Sequence, residues 1–169
     1  MSRPQTEKFA FKNVSHIKRV NFGPDGSLLS KQRVAHNIER YANMTDDKKR
    51  DEIERQRSIP NLSHGFTTVM CYAGWCGHCV KAKPIYDNIC KASKCMNVQL
   101  CAIDCANDTE GLVDALNDIL HNKFTHENKD DKLIRGFPTF LQFKDGHFYR
   151  RYEDSSQDSE KLLAFIVGV

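Results

Sequence analysis

The sequence predicts an α/β fold in which a mixed central sheet is flanked by helices, with a mostly helical N-terminal extension before it. Two observations support this prediction. Residues 66–120 alternate short β-favouring apolar runs with segments of helical periodicity, which is the pattern of a strand–helix–strand crossover. Two further β-favouring runs then flank Asp145-Gly146, a pair typical of a hairpin turn, and an amphipathic segment follows them.

The predicted elements of this region follow one another closely. A buried strand is expected at 66–72 and a helix from Cys76 to about Lys94, with Pro84 kinking it because proline removes a backbone donor. A second strand is expected at 98–104. The next helix and the last one are indicated by apolar residues at helical spacing, namely Leu112, Val113, Leu116, Ile119 and Leu120, then Leu162, Leu163 and Ile166. The hairpin strands are expected at 139–143 and 147–152.

The chain is expected to divide at about residue 60. In the extension, 1–60, the pattern predicts a first strand at 17–22 and helices at about 31–43 and 45–57, the second of them mostly solvated because it has few apolar residues. Residues 61–169 form the predicted α/β domain. A polar stretch at about 121–134 lies within this domain.

Composition and charge exclude several classes of protein. The 169 residues are 40% hydrophobic and 28% charged, with a net charge of +3, which is ordinary for a soluble domain. No apolar run of about 18 residues is present to cross a membrane. Residues 1–60 hold 13 Lys/Arg against 8 Asp/Glu, but without a dense basic block or nucleic-acid motif this predicts a solvated surface rather than nucleic-acid binding.

Cys76 and Cys79 are separated by two residues at the expected start of a helix. The first helical turn offers unpaired backbone N–H groups and the positive end of the helix dipole. This environment favours the thiolate of Cys76, the species that attacks a disulfide. Cys79, one turn later, is expected to resolve the resulting mixed disulfide. His78 is expected to stabilise the reduced form, which would make the protein disulfide a better oxidant.

Two motifs carry a family resemblance. Residues 72–79, Tyr-Ala-Gly-Trp-Cys-Gly-His-Cys, with Pro84 five residues further on, resemble the active-site segment of the thioredoxin superfamily, most closely a catalytic domain of protein disulfide isomerase. Residues 135–139, Arg-Gly-Phe-Pro-Thr, resemble the family's loop in which a cis proline, matched by Pro138, lies beside the cysteines and holds an extended substrate.

The resemblance covers about residues 62–169. It implies that the stretch at about 121–134, longer than in the usual domain, is a polar insertion that shapes substrate access. It implies a thioredoxin fold and a protein disulfide oxidoreductase or isomerase that needs no bound cofactor and no metal. It also assigns the remaining site residues: Trp75, Gly77, Phe137 and Pro138 as substrate contacts, with Pro84 and Arg135 as structural residues near the site.

The sequence also departs from the family pattern. Many members carry a buried acid on the strand before the active site and a lysine on the next strand, where this chain has Met70 and Ala102. Losing both leaves no unpaired buried charge, but it predicts slower proton transfer at Cys79. The isomerases also have an arginine after the last strand, and residues 153–159 contain none. Arg150 and Arg151 could replace it only if the loop bends back.

Other interpretations remain open at this stage. A Cys-x-x-Cys pair is half of a zinc site, although the absence of a second pair and the neighbouring Trp75 favour redox use. Cys71 and Cys101 are expected to be core residues, while Cys90, Cys95 and Cys105 are compatible with free thiols or a structural disulfide. The alternative enzyme is a thioredoxin-like disulfide reductase. The alternative of another class is a non-catalytic binding or structural module that uses the fold for assembly.

Partners and compartment are expectations of the same kind. The substrates would be protein thiols and disulfides, recycled by a sulfhydryl oxidase or a disulfide reductase, and the N-terminal segment could form a homodimer contact. Neither a secretory apolar core nor a retention tetrapeptide is seen, which predicts a cytoplasmic protein, whereas seven cysteines are many for a reducing compartment. An isolated domain of this kind resembles the single-domain enzymes of large cytoplasmic DNA viruses, which would place it in the host cytoplasm or the virion.

Overall fold

The structure is a computed structural model that describes residues 10–41, 43–124, 132–154 and 158–168. Within these ranges it contains five strands and five α-helices. They are β1 Ser15–His16, α1 Lys31–Tyr41, α2 Asp46–Arg57, β2 Phe66–Tyr72, α3 Gly77–Ala92, β3 Val98–Asp104, α4 Leu112–Phe124, β4 Thr139–Lys144, β5 His147–Arg151 and α5 Ser159–Val167. No helix in the described ranges has the length and apolar character needed to cross a membrane.

The five strands form one mixed sheet in the order β1-β3-β2-β4-β5. The first three strands in this order are parallel, while β4 and β5 are antiparallel to their neighbours. This is the thioredoxin fold of the α/β class, so the predicted fold is confirmed. The crossover β2-α3-β3 places the start of α3, and with it Cys76, at the carboxyl end of β2 in the middle of the sheet.

The two faces of the sheet bury separate core clusters, because successive side chains of a strand point to opposite faces. On β2, Val69 and Cys71 join the cluster beneath α4 and the extension, whereas Met70 and Tyr72 join the cluster beneath α3 and α5. Cys79 belongs to the second cluster. The site therefore lies above the α3/α5 side of the sheet.

The predicted strand at 17–22 is wrong. The strand is only Ser15–His16, and residues 19–21 form a short 3-10 helix. Its pairing with β3 ends after the Ile17 N–H donates to the carbonyl of Ala102 at 2.9 Å, because Lys18 N–H then turns to the side chain of Asn21 at 3.0 Å. Ile17 is apolar because it fills the core, not because the strand continues.

The other predicted elements of the extension are found close to their expected places. Helix α1 ends at Tyr41, two residues before the predicted end, and α2 begins after Thr45, whose hydroxyl accepts the N–H of Lys48. As expected, α2 is mostly exposed. The predicted insertion at 121–134 is described only in part, since residues 125–131 lie outside the described ranges.

Candidate active site

The cysteine pair lies where the chain turns from β2 into α3. Cys76 has extended backbone angles, φ −83° and ψ 121°, and is the N-cap residue of α3. Its N–H donates to the carbonyl of Ala73 at 3.0 Å, and its own carbonyl accepts the N–H of Val80 at 3.1 Å. Its side chain makes no capping hydrogen bond. The sulfur therefore lies at the helix N-terminus, where unpaired N–H groups favour a negative charge.

The two cysteines differ in exposure, and burial makes the Cys79 thiol a weaker acid than usual. Cys76 is partly exposed, whereas Cys79 is completely buried. Burial, outweighing a hydrogen bond from the Ala73 backbone and reinforced by the neighbouring Cys76 thiol, raises the pKa of Cys79 to about 12. The pair is in the dithiol form. The exposed member can thus meet a substrate, while the buried member stays protonated at neutral pH.

The loop that was predicted to face the cysteines does so. The Phe137-Pro138 peptide bond is cis, and the carbonyl oxygen of Phe137 lies 3.4 Å from the sulfur of Cys76. The ring of Phe137 packs edge-on against the ring of Trp75, with 6.1 Å between centroids. Trp75 is 67% exposed. The apolar surface of Trp75 and Phe137 thus borders the Cys76 sulfur on the side of the loop.

A groove runs from this loop past His78. It has a cavity volume of about 400 Å³, and its lining includes His78, Arg135, Pro138, Arg151 and Glu153. His78 and Arg135 are exposed at its rim. The structure therefore brings His78 and the loop residues together around one opening.

The other two predicted site residues lie on α3. Gly77 is its first residue and has open space around the position of a Cβ atom. Pro84 lies inside the same helix, two turns after Cys76, and is exposed. The kink expected at Pro84 stays a prediction.

The interior next to Cys79 is apolar. Met70 and Ala102 are direct partners in the β2/β3 ladder, both completely buried, and both belong to the core cluster of Cys79. The two positions where an acid and a lysine were expected from the family pattern are therefore adjacent. They offer Cys79 no titratable group.

The arginines of β5 have different surroundings. Arg150 donates to the side chain of Gln142 at 2.8 Å and to the carbonyl of Phe165 at 3.0 Å, beneath α5. Arg151 instead lines the groove. Of the two candidates to replace the missing arginine, only Arg151 borders the site.

The remaining cysteines carry free thiols in this structure. Cys71 and Cys101 are completely buried core residues, as predicted. Cys90 and Cys105 are partly exposed and Cys95 is exposed. Among the described residues, no group of three or more Cys, His, Asp or Glu is placed to hold a metal ion.

Two contacts near the site have no clear signal in the sequence. His16 of the edge strand forms a hydrogen bond through Nε2 with the hydroxyl of Tyr72, and burial lowers the pKa of His16. Asn117 of α4 binds the backbone of Ile134, just before the Phe137-Pro138 loop. Both join residues far apart in the chain, and neither Asn nor His at such a position indicates its partner.

Comparisons with known proteins agree with this architecture. The family model described as Thioredoxin matches residues 47–117, a range that includes β2, the cysteine pair, α3 and β3. A thioredoxin domain-containing protein of Theileria parva is 34% identical over 114 residues, which cover 65% of this chain and 43% of that protein. The thioredoxin domain-containing protein 5 homolog of Drosophila melanogaster is 24% identical over 110 residues, covering 62% of this chain and 22% of that protein.

The chain thus spans less than half the length of these curated relatives. Similar solved structures include human ERp44 form II, with a TM-score of 0.44 and 21% identity, covering 62% of this chain and 25% of that one. Another is the N21Q mutant thioredoxin of Halobacterium salinarum, with a TM-score of 0.45 and 20% identity, covering 62% and 74%. Residues 47–117 thus match the thioredoxin family, whose members are thiol oxidoreductases.

Proposed function

We propose that this chain exchanges disulfides with protein substrates through Cys76 and Cys79, in the manner of a protein disulfide isomerase domain. One observation carries the proposal: the partly exposed Cys76 sulfur at the start of α3 lies 3.4 Å from the carbonyl oxygen of Phe137. A substrate chain that lies along residues 137–138 would bring its own disulfide beside this sulfur.

The reaction needs only the two thiols of the pair. The Cys76 thiolate attacks one sulfur of a substrate disulfide, and the other substrate sulfur leaves as a thiolate. Cys79 then loses its proton and attacks the Cys76 sulfur, so that the second substrate sulfur leaves. Two electrons have passed to the substrate, which is now a dithiol, and Cys76 and Cys79 are joined. The reverse sequence oxidises a substrate dithiol, and no bound cofactor is involved.

The isomerase-like direction rests on His78. A positive or hydrogen-bonding group between the two cysteines stabilises the reduced pair, and its disulfide then becomes a stronger oxidant. His78 lies exposed at the mouth of the groove beside Pro138. A sulfhydryl oxidase would recycle the pair if the net reaction is oxidation, and a disulfide reductase if it is reduction. The cytoplasmic or viral setting stays a prediction.

The test of the activity is a trapping experiment with Cys79→Ala. Without the resolving thiol, the mixed disulfide between Cys76 and its substrate should accumulate and be visible on a non-reducing gel. Cys95 is an exposed free thiol, so Cys79→Ala combined with Cys95→Ala is the matched background, and adding Cys76→Ala is the negative control. Adducts that persist without Cys76, or no adducts with Cys76 present, would contradict the proposal.

The reduction potential of the Cys76-Cys79 pair separates the two enzyme alternatives. A potential of about −180 mV supports the isomerase-like interpretation, while one of about −270 mV, that of thioredoxin, supports a reductase. If the intact pair fails to turn over insulin disulfides, the binding or structural module becomes the better interpretation. Stoichiometric zinc that is lost in Cys76→Ala would favour the metal site.

A further inference from the structure

A bulge in β5 decides which way its two arginines point. The register of β4 and β5 shifts between Gln142, which pairs with Arg150, and Phe143, which pairs with Phe148. Tyr149 is therefore the extra residue. In a regular strand residues 148 and 150 would share a face, but here Phe148 packs into the α4 cluster and Arg150 lies on the α5 side. Because of the bulge, Arg151, which follows Arg150, lies on the α4 side of the sheet.

Arg151 grips the chain just before the Phe137-Pro138 loop. Its Nη1 donates to the carbonyl oxygens of Lys132 at 3.1 Å and Leu133 at 2.9 Å. Its Nε and Nη2 donate to the carboxylate of Glu153 at 3.0 and 3.2 Å. The Arg151 side chain is only 7% exposed. A guanidinium group that is this well covered and makes four hydrogen bonds has one defined position.

Asn117 of α4 holds Ile134, the residue that follows Leu133. Its amide Nδ2 donates to the carbonyl of Ile134 at 3.1 Å, and its Oδ1 accepts the Ile134 N–H at 2.7 Å. Asn117 is 8% exposed, and the side chains of Leu133 and Ile134 are buried in the α4 cluster. Residues 132–134 are thus fixed by a helix on one side and by a strand on the other.

The contacts of Arg151 and Asn117 with residues 132–134 control the position of the loop that borders Cys76. Only Arg135 and Gly136 separate Ile134 from Phe137, and a chain of this length spans at most about 3.6 Å per residue. At its other end the loop enters β4 at Thr139, whose hydroxyl donates to the carbonyl of Gly136 at 2.6 Å. The short distance between the Phe137 carbonyl oxygen and the Cys76 sulfur is therefore maintained only while both ends of the loop are held.

We infer that Arg151 and Asn117 are positioning residues that set the peptide-binding loop against Cys76 and so favour disulfides carried on an extended polypeptide. The inference rests on the proposed function. A polypeptide must lie along residues 137–138 to present its disulfide, and it therefore depends on the loop. A small disulfide needs only to reach the Cys76 sulfur, and its reaction therefore does not depend on the loop.

The experiment compares these two kinds of substrate. Reduced protein reacts with a one-disulfide extended peptide or with oxidised 2-mercaptoethanol. The fluorescence of Trp75, the single tryptophan, reports oxidation of the neighbouring pair. Arg151→Met removes the grip on residues 132–133. Arg150→Met is the matched control, because it removes a neighbouring arginine of the same strand that bonds beneath α5.

Arg151→Met should raise the half-saturating peptide concentration by roughly three- to tenfold, the effect of losing about one net hydrogen bond. The maximal rate and the reaction with the small disulfide should be unchanged. Arg151→Lys, which keeps a positively charged donor group but loses the planar guanidinium geometry, should recover part of the loss. Asn117→Asp, which keeps the acceptor for the Ile134 N–H and loses the donor, should act in the same direction as Arg151→Met.

Three results would overturn the inference: equal losses with both substrates, no loss with either, or the same peptide-specific loss in Arg150→Met. Unfolding by urea is measured on each variant. A peptide-specific change in a folded protein separates positioning from general destabilisation. If the unaltered protein reacts with neither disulfide, the proposed function itself fails, and this inference fails with it.

Discussion

Release of the substrate from Cys76 is expected to accelerate steeply with pH. Cys79 must lose its proton to attack the mixed disulfide, and burial has raised its pKa to about 12. Because this pKa is raised, the thiol form dominates at neutral pH and the thiolate fraction grows tenfold with each pH unit. In the dithiol form about one molecule in 10⁵ carries the Cys79 thiolate at pH 7. Burial of Cys79 also raises its pKa in the mixed disulfide, so between pH 7 and 9 the release rate should rise about 100-fold.

The assay starts from a protein whose Cys76 carries a small thiol as a mixed disulfide. This species is prepared at low pH, where Cys79 stays protonated, and is then mixed rapidly into buffers between pH 6 and 9. The released thiol is followed over time, and the logarithm of the rate is plotted against pH. A slope near one is expected across this range, since no titratable group stands at Met70 or Ala102 to take the proton.

A second perturbation supplies the missing base. Met70 is completely buried in the core cluster of Cys79, so a carboxyl placed there by Met70→Glu should have a raised pKa because of burial. It would accept the Cys79 proton near neutral pH, raise the release rate at pH 7 and flatten the profile. Met70→Gln is the matched control, since it has the same length but cannot accept a proton, and both variants should be less stable.

Two outcomes would refute this reasoning. A release rate that does not change between pH 6 and 9 would mean that deprotonation of Cys79 does not limit the step. Equal acceleration by Met70→Glu and Met70→Gln would mean that the substitution acts by loosening the packing around Cys79, because only the first variant offers a base.

The remaining predictions concern stability and are checked by urea unfolding of the reduced protein. Tyr86→Phe should cost about 1–2 kcal/mol, because the buried hydroxyl loses its hydrogen bond to the Cys101 carbonyl, 2.8 Å away; no change would contradict this. Gly146→Ala should cost about 1–3 kcal/mol, because φ is +82° and the new Cβ would lie 2.7 Å from the Leu28 carbonyl oxygen. Gly77→Ala, in open space, is its control. Burial raises the pKa of Cys101, so the unfolded state loses this proton first and stability falls above about pH 9, by about 1.4 kcal/mol per unit for this thiol. Cys101→Ala should remove that share of the slope.

The central part of the fold could be predicted because its signals are local. The run 66–72, the turn into Cys76 and the hairpin around Asp145-Gly146 each depend on neighbouring residues, and each is found within one or two residues of its predicted place. The apolar residues of 17–22 predicted a strand, but Ile17 and Phe22 are apolar because they pack in the core. Local pattern does not distinguish these two causes of burial.

The candidate site divides in the same way. The cysteine pair and the Phe137-Pro138 loop were predicted from motifs, and the structure places them together. The contacts of Arg151 and Asn117 could not be predicted, because the direction of Arg151 depends on a bulge and the partner of Asn117 lies 17 residues away. An alternating pattern would have placed residue 151 on the opposite face from the one it occupies.

The short edge strand has a consequence for how the molecule opens. Val14 packs on the α3/α5 side and Ile17 on the α4 side. The carboxylate of Asp87 on α3 accepts the N–H of Asn13 at 2.8 Å. Separating this strand from β3 would therefore expose both core clusters to solvent at once. The amide hydrogens of β3 that face this strand should then exchange with solvent as one unit, with the same dependence on denaturant.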